Sequence, residues 1–298
     1  MQNFTTLKKK RIELTEHIAD TLQDNYAKGA AFMFGPDTAL KAAARLWFVV
    51  ALVGLWIFVY YLLAYYIAPA FQGGLEAWTN TRLPMGYVPG DTIGNFAIAL
   101  HLFVAVTIIG FGPLQLIPQI RERFPVFHHW NGRIYMSTVF ATSLAGLYMV
   151  WIRGGSVGNV VQNIAISLDA VLIMIFAAMA LRYAIARNIV THRRWALRLF
   201  MVVNAVWFLR IGYQLWNFLN NGSIAYDYKV FSSTFFTFWS FGQYLLPLAI
   251  LELYLHTRDR AGASGKFAMA TGLLVVTAFM GVGIYAATFG MWLPRLGF

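Results

Sequence analysis

A chain of 298 residues that is 59% hydrophobic, 17% aromatic and only 12% charged, with a mean hydropathy of +0.59, has too little polar surface to cover itself in water. The absence of cysteine excludes disulfides, iron–sulfur clusters, thiolate zinc sites and covalently attached haem. The net charge of +11 is spread over loops and no basic soluble module is present, so it reads as a topology signal and nucleic acid is excluded as a partner.

The first 44 residues are polar, with no short apolar region and cleavage site of the signal-peptide kind. Lys8, Lys9, Lys10 and Arg11 precede Leu14, Ile18, Leu22 and Tyr26, whose fourfold spacing puts them on one helical face. Such a helix either lies on anionic lipid or docks a partner; the alternative is a plain cytoplasmic extension that reinforces orientation.

Residues 45–298 then carry seven stretches long and apolar enough to cross about 30 Å of hydrocarbon as helices: 45–68, 93–118, 131–152, 161–183, 194–219, 232–256 and 267–290. The period of two that marks a barrel is absent, so the fold class is all-α, a seven-span polytopic membrane protein. The first loop, 69–92, is turn-rich and carries Trp78 and Tyr87, which suit a position at the membrane interface. Gly110, Gly112, Pro113 and Pro118 predict a break near the end of the second span. Eighteen Lys and Arg fall in segments 1–45, 119–133, 182–198 and 257–266, against four in the alternate segments, which predicts a cytoplasmic N-terminus and an external C-terminus.

Asn95–His101 (NFAIALH) reads against Asn163–Asp169 (NIAISLD), and each opens a span that leads to a turn bearing His and Trp. Spans two and three, and spans four and five, therefore read as two copies of one hairpin, forming a four-helix core over 93–219.

Within these spans lie residues that lipid excludes. His101 and Asp169 are each about 12 Å below the outer end of their spans, at roughly 1.5 Å per residue, and Arg210 is expected at a similar depth. A charge there costs about 2.5–3.5 kcal/mol, which predicts an Asp169–Arg210 pair with His101 beside it. The cluster reads either as a helix-packing pair or as a pocket for a ligand, a quinone head or a proton. At the opposite ends stand His128, His129, His192 and His256, with Glu252 and Arg133, Arg194 and Arg198. Imidazole suits haem iron and arginine suits propionates. His128, His192, His256 and Glu252 make a zinc or iron site the lesser alternative.

The elements His128-x-Trp130-x-Gly132-Arg133-x-Tyr135 and His192-Arg193-Arg194-Trp195-x-x-Arg198 resemble the two signatures of an uncharacterised bacterial membrane-protein family, domain of unknown function 2306, over about 93–256. The resemblance implies a multi-helix protein of the bacterial cytoplasmic membrane and brings no activity. Phe127–Gly132 is also similar to an element of the di-haem b cytochromes, which implies His128 and His192 as ligands of one haem b; Asp169 stands where the second haem needs histidine.

Three functions follow as expectations. One is haem b or quinone-linked membrane electron transfer. The second is a cofactor-free accessory or assembly subunit among other membrane subunits. The third is a small-solute or proton pathway through His101, Asp169 and Arg210, against which stands the lack of a second broken helix at the place equivalent to that in span two. No nucleophile turn or phosphate loop is present, and whether the chain catalyses a reaction stays open.

Overall fold

The computed structural model describes residues 21, 35–81, 83, 85–154, 159–221 and 234–298. The predicted amphipathic helix on Leu14, Ile18, Leu22 and Tyr26 lies outside them. Among the described residues every regular element is helical. In chain order these are α1 (Pro36–Leu62), α2 (Ala68–Gly73), α3 (Thr92–Phe111), α4 (Pro118–Arg123), α5 (Pro125–Trp151), α6 (Val160–Ile185), α7 (Ile189–Val203), α8 (Ala205–Asn221), α9 (Thr234–Arg260), α10 (Ala263–Ala287) and α11 (Leu293–Arg295). Six helical stretches are long and apolar enough to cross a membrane, and α7 with α8 makes a seventh if that pair, bent by 52°, is one span.

The helix ends follow from local chemistry. Pro36, Pro118 and Pro125 take first-turn positions, where the missing N–H is not needed. Asn159 caps α6 in a reciprocal box with Gln162, and the Asn188 side chain accepts from Thr191 N–H at 3.1 Å to start α7. Arg187, at φ 55°, reverses the chain between α6 and α7. The break expected in span two is present: α3 stops at Phe111, Pro113–Leu116 is a tight 3₁₀ turn, and α4 turns away. The bend in span five is not announced by any proline or glycine. It falls at Asn204, whose side-chain amide donates to the Phe200 carbonyl at 2.8 Å and so competes with the helical ladder.

The chain divides into two units. One comprises Met1–Trp47 with Tyr254–Val275. In it Lys266 pairs with Asp37 at 2.8 Å, and Leu40, Ala43, Leu255, Met269, Ala270 and Leu273 are buried. The other comprises Phe48–Leu253 with Val276–Phe298. Its core joins five successive spans through Ile108 of α3, Tyr135 and Val139 of α5, Phe176 and Ala177 of α6, Leu199 and Val202 of α7, Ala205 of α8 and Tyr244 of α9. Close approach depends on glycine at Gly283, where a Cβ would stand 2.7 Å from the Ile211 carbonyl oxygen of α8.

In the loop before α3, Trp78 packs inward: it is 1% exposed and its indole N–H donates to the Tyr66 carbonyl at 2.8 Å. Arg153, read from sequence only as a loop charge, is the pin of this region, with its side chain 3% exposed. Its guanidinium donates to Asp91 at 2.8 Å, Asn95 at 2.7 Å and the Gly86 carbonyl at 3.1 Å. The Gly94 N–H, then the Arg153 guanidinium, hold the Asp91 carboxyl below the usual aspartate range.

Two outcomes are expected. Gly283→Ala should cost about 1–3 kcal/mol of stability by overpacking against a carbonyl that cannot step aside, read as a lowered midpoint in thermal unfolding. For Asp91 the folded-state value is depressed, so its contribution is complete above the ordinary aspartate value and fades as pH falls through the depressed one. The stability gap between wild type and Asp91→Asn should therefore close on strong acidification; a gap constant down to the lowest pH would remove this assignment.

Candidate functional site

Two successive returning helices carry histidine at the same helical position. His128 is the fourth residue of α5 and His192 the fourth of α7, and their N–H groups make the first helical bonds, to Phe124 O at 3.0 Å and Asn188 O at 2.9 Å. The two rings open into one cavity of about 290 Å³, lined also by His129, Gln115, Arg121 and Arg193. Its other walls are mostly apolar, including Leu116, Ile117, Ile189 and Leu197, and no carboxylate lines it. The break in span two builds one side: the 3₁₀ turn presents Gln115, whose amide donates to the His128 carbonyl at 3.2 Å, and α4 carries Arg121 back over the pocket. Exposed Glu122 stands 3.5 Å from Arg121 and compensates it only weakly in water.

The two imidazoles are held differently. His192 Nδ1 lies 2.9 Å from the Ala180 carbonyl oxygen. A carbonyl only accepts, so this nitrogen carries the proton and Nε2 keeps its lone pair while the ring is neutral. His128 Nδ1 is buried with no hydrogen-bond partner. His128 and His129 meet edge to face with centroids 5.9 Å apart.

The arginines expected around these histidines, Arg133, Arg194 and Arg198, do not line the cavity; two others, Arg121 and Arg193, do. Arg133 lies over Trp130 at 5.1 Å and Arg198 over Trp195 at 4.8 Å, each one helical turn beyond its ring. Arg198 is also clamped by both oxygens of Glu252, at 2.6 and 2.9 Å. That bidentate pair removes Arg198 as a propionate partner and Glu252 as a free metal ligand. His256 belongs to the other unit, and among the described residues no group of three or more His, Cys, Asp or Glu stands ready to hold a metal.

The intramembrane cluster is also rearranged. Among the described residues no ion pair joins Asp169 to Arg210. The α6–α7 register, set by His192 against Ala180 and by Phe176 in tilted contact with Trp195 at 5.4 Å, puts Asp169 level with Val202 and Val203. Arg210 is then about two turns further along, roughly 10 Å at 1.5 Å per residue. Its guanidinium donates to the Val206 carbonyl at 2.8 Å and lies 5.1 Å over Phe58, within electrostatic range of His101 and Tyr66. Gly146 lies close against the His101 ring. Asp169 lies within electrostatic range of Tyr244, and its Oδ1 is buried without a partner.

Sequence reasoning missed Arg121 and Gln115 because their place depends on how the chain folds after Gly112. The proline pair Pro113 and Pro118 was the available signal. The tautomer assignment is checkable: ¹⁵N NMR of histidine-labelled protein should show His192 protonated at Nδ1 at neutral pH, and an Nε2–H tautomer would contradict the bond to Ala180.

No curated protein and no solved structure matches this chain. Residues 98–242 match the model of the family described as Predicted membrane protein (DUF2306), and both histidine motifs lie within the matched stretch.

Proposed function

We propose that this integral membrane protein binds an anionic, apolar-tailed ligand, a phosphate- or carboxylate-headed amphiphile, in the pocket between α4, α5, α6 and α7. The observation that carries the reading is the pairing of Arg121 and Arg193 with three imidazoles and an apolar wall, with no carboxylate among the lining residues. Basic pockets between helices on the positively charged face suit lipid head groups. Guanidinium offers a fixed fork of donors to phosphate or carboxylate oxygens, and His128 and His192 add donors whose number rises on protonation. The apolar walls, with Leu116, Ile117, Ile189 and Leu197, would take the start of a chain. The excess of Lys and Arg on this face supports a cytoplasmic location for the pocket and an external C-terminus. A quinone head, being uncharged, has less need of two guanidiniums.

Haem b held by His128 and His192 is a second reading with one observation in its favour. The Ala180 carbonyl orients His192 so that Nε2 is free to ligate, the usual outer-shell arrangement of a metal-binding histidine. The rest of the site fits poorly. A cavity of about 290 Å³ is at the floor of the roughly 300–1,000 Å³ range of small-molecule sites. Arg133 and Arg198, the expected propionate partners, are stacked on tryptophans.

Native mass spectrometry of protein released from mixed phosphatidylcholine and phosphatidylglycerol nanodiscs tests the first reading. Wild type should retain phosphatidylglycerol selectively, and Arg121→Gln with Arg193→Gln should retain it about tenfold less, equivalent to about 1.4 kcal/mol. Equal retention by the two would sink the amphiphile reading. A Soret band in protein made with ample haem, lost in His192→Ala, would establish the second in its place.

A further inference from the structure

We infer that the head taken by the basic pocket is a phosphomonoester, a terminal phosphate on a lipid chain, in preference to the phosphodiester head of ordinary membrane lipids. The inference rests on the reading of this pocket as an amphiphile site and narrows it by charge, hydrogen bonding and room.

Charge comes first. Arg121 of α4 and Arg193 of α7 line the same cavity, and no carboxylate lines it. Glu122 stands 3.5 Å from Arg121 but is exposed and lies outside the lining. Guanidinium does not deprotonate in proteins, so the wall carries two fixed positive charges. A carboxylate or a phosphodiester brings one negative charge to them, whereas a phosphomonoester brings about 1.5 to 2 at pH 7. Its three free oxygens also give each guanidinium fork an acceptor.

Hydrogen bonding separates the two heads further. His192 Nδ1 donates to the Ala180 carbonyl at 2.9 Å, and Ala180 is fully buried and does not line the cavity. The Nε2 edge, which bears a lone pair while the ring is neutral, is therefore the part left to a ligand. A diester head has acceptor oxygens only and meets that lone pair with repulsion. A monoester has a second ionisation near pH 6, about that of free imidazole, so one proton can lie between a phosphate oxygen and Nε2. Whichever atom holds it, the bond is one that a diester cannot make. His128 Nδ1, buried and without a partner, leaves a second imidazole nitrogen with its bonding unspent.

Room points the same way. A cavity of about 290 Å³ is small for a ligand site, and a monoester ends at its phosphate with no alcohol to house beyond it. Leu116, Ile117, Ile189 and Leu197 are then left for the first carbons of the chain.

The test keeps the protein unchanged and alters one methyl group of the ligand. Wild type is released from phosphatidylcholine nanodiscs that contain either phosphatidic acid or phosphatidylmethanol with the same acyl chains, and bound lipid is counted by native mass spectrometry. Methylation turns the monoester into a diester, removing the proton and the second charge while the head keeps nearly its size. Phosphatidic acid should be retained about tenfold more than phosphatidylmethanol, the scale of one hydrogen bond to a charged group. Arg121→Gln with Arg193→Gln should lower retention of both. Equal retention of the two lipids by wild type, with both still lowered in the arginine variant, overturns the monoester inference and leaves the amphiphile reading standing. Retention of neither lipid above phosphatidylcholine overturns that reading and the inference with it. Inorganic phosphate at millimolar concentration should not displace phosphatidic acid; displacement would give the site to the free ion and end the lipid assignment.

Discussion

The register of the hairpin between α6 and α7 governs where chemistry is placed in this protein. A turn of three residues joins the two helices, and three local features leave it little freedom: the Asn188 cap, the left-handed backbone at Arg187, and the bond from His192 to the Ala180 carbonyl. Once the first turn of α7 is locked to α6, every later pair along two antiparallel helices is fixed by the rise per residue. The same lock that puts His192 in the basic pocket also brings Phe176 against Trp195 and draws Asp169 level with Val202 and Val203. A shift of two turns would bring Asp169 to Arg210 instead.

Hydrocarbon makes unpaired charge costly, and the buried ionisable groups answer that constraint in different ways. Arg153 is met by Asp91, Asn95 and a carbonyl, which ties the loop before α3 to the end of α5. Arg198 is met by both oxygens of Glu252, joining α7 to α9. Arg210 has neither kind of partner; a carbonyl of its own helix and the face of Phe58 take the place of a carboxylate. Asp169 has no donor at all on Oδ1. These four differ in what surrounds them.

The two breaks in the helical frame serve different ends. The first, at Gly112–Ile117, is written in glycine and proline, and it folds α4 back so that Arg121 and Gln115 close the basic pocket. The second, at Asn204, arises from a polar side chain bonding its own backbone, and it bends the fifth span by 52°. Sequence patterns reveal the first kind readily, because glycine and proline act on the backbone alone. The second kind is invisible to them, since asparagine bends a helix only where burial makes its side-chain bond worth more than a regular ladder.

Composition and hydropathy by themselves determined that this is a helical membrane protein, because lipid admits few other ways to satisfy the main chain over such lengths; of the seven spans expected, six are long and apolar enough by themselves and the seventh is the bent pair α7 with α8. The paired His motifs put His128 and His192 at matching places in the turns ahead of two returning helices, and the structure draws both into the first turns of α5 and α7. Side-chain partnership was another matter. Tertiary structure decided that Arg198 would take Glu252, that Trp78 would be buried, that Arg121 rather than Arg133 would reach the pocket, and that Asp169 and Arg210 would part. Each of these turns on the rotation and register of one helix against another, and a shift of one or two turns leaves hydropathy unchanged while it exchanges every partner.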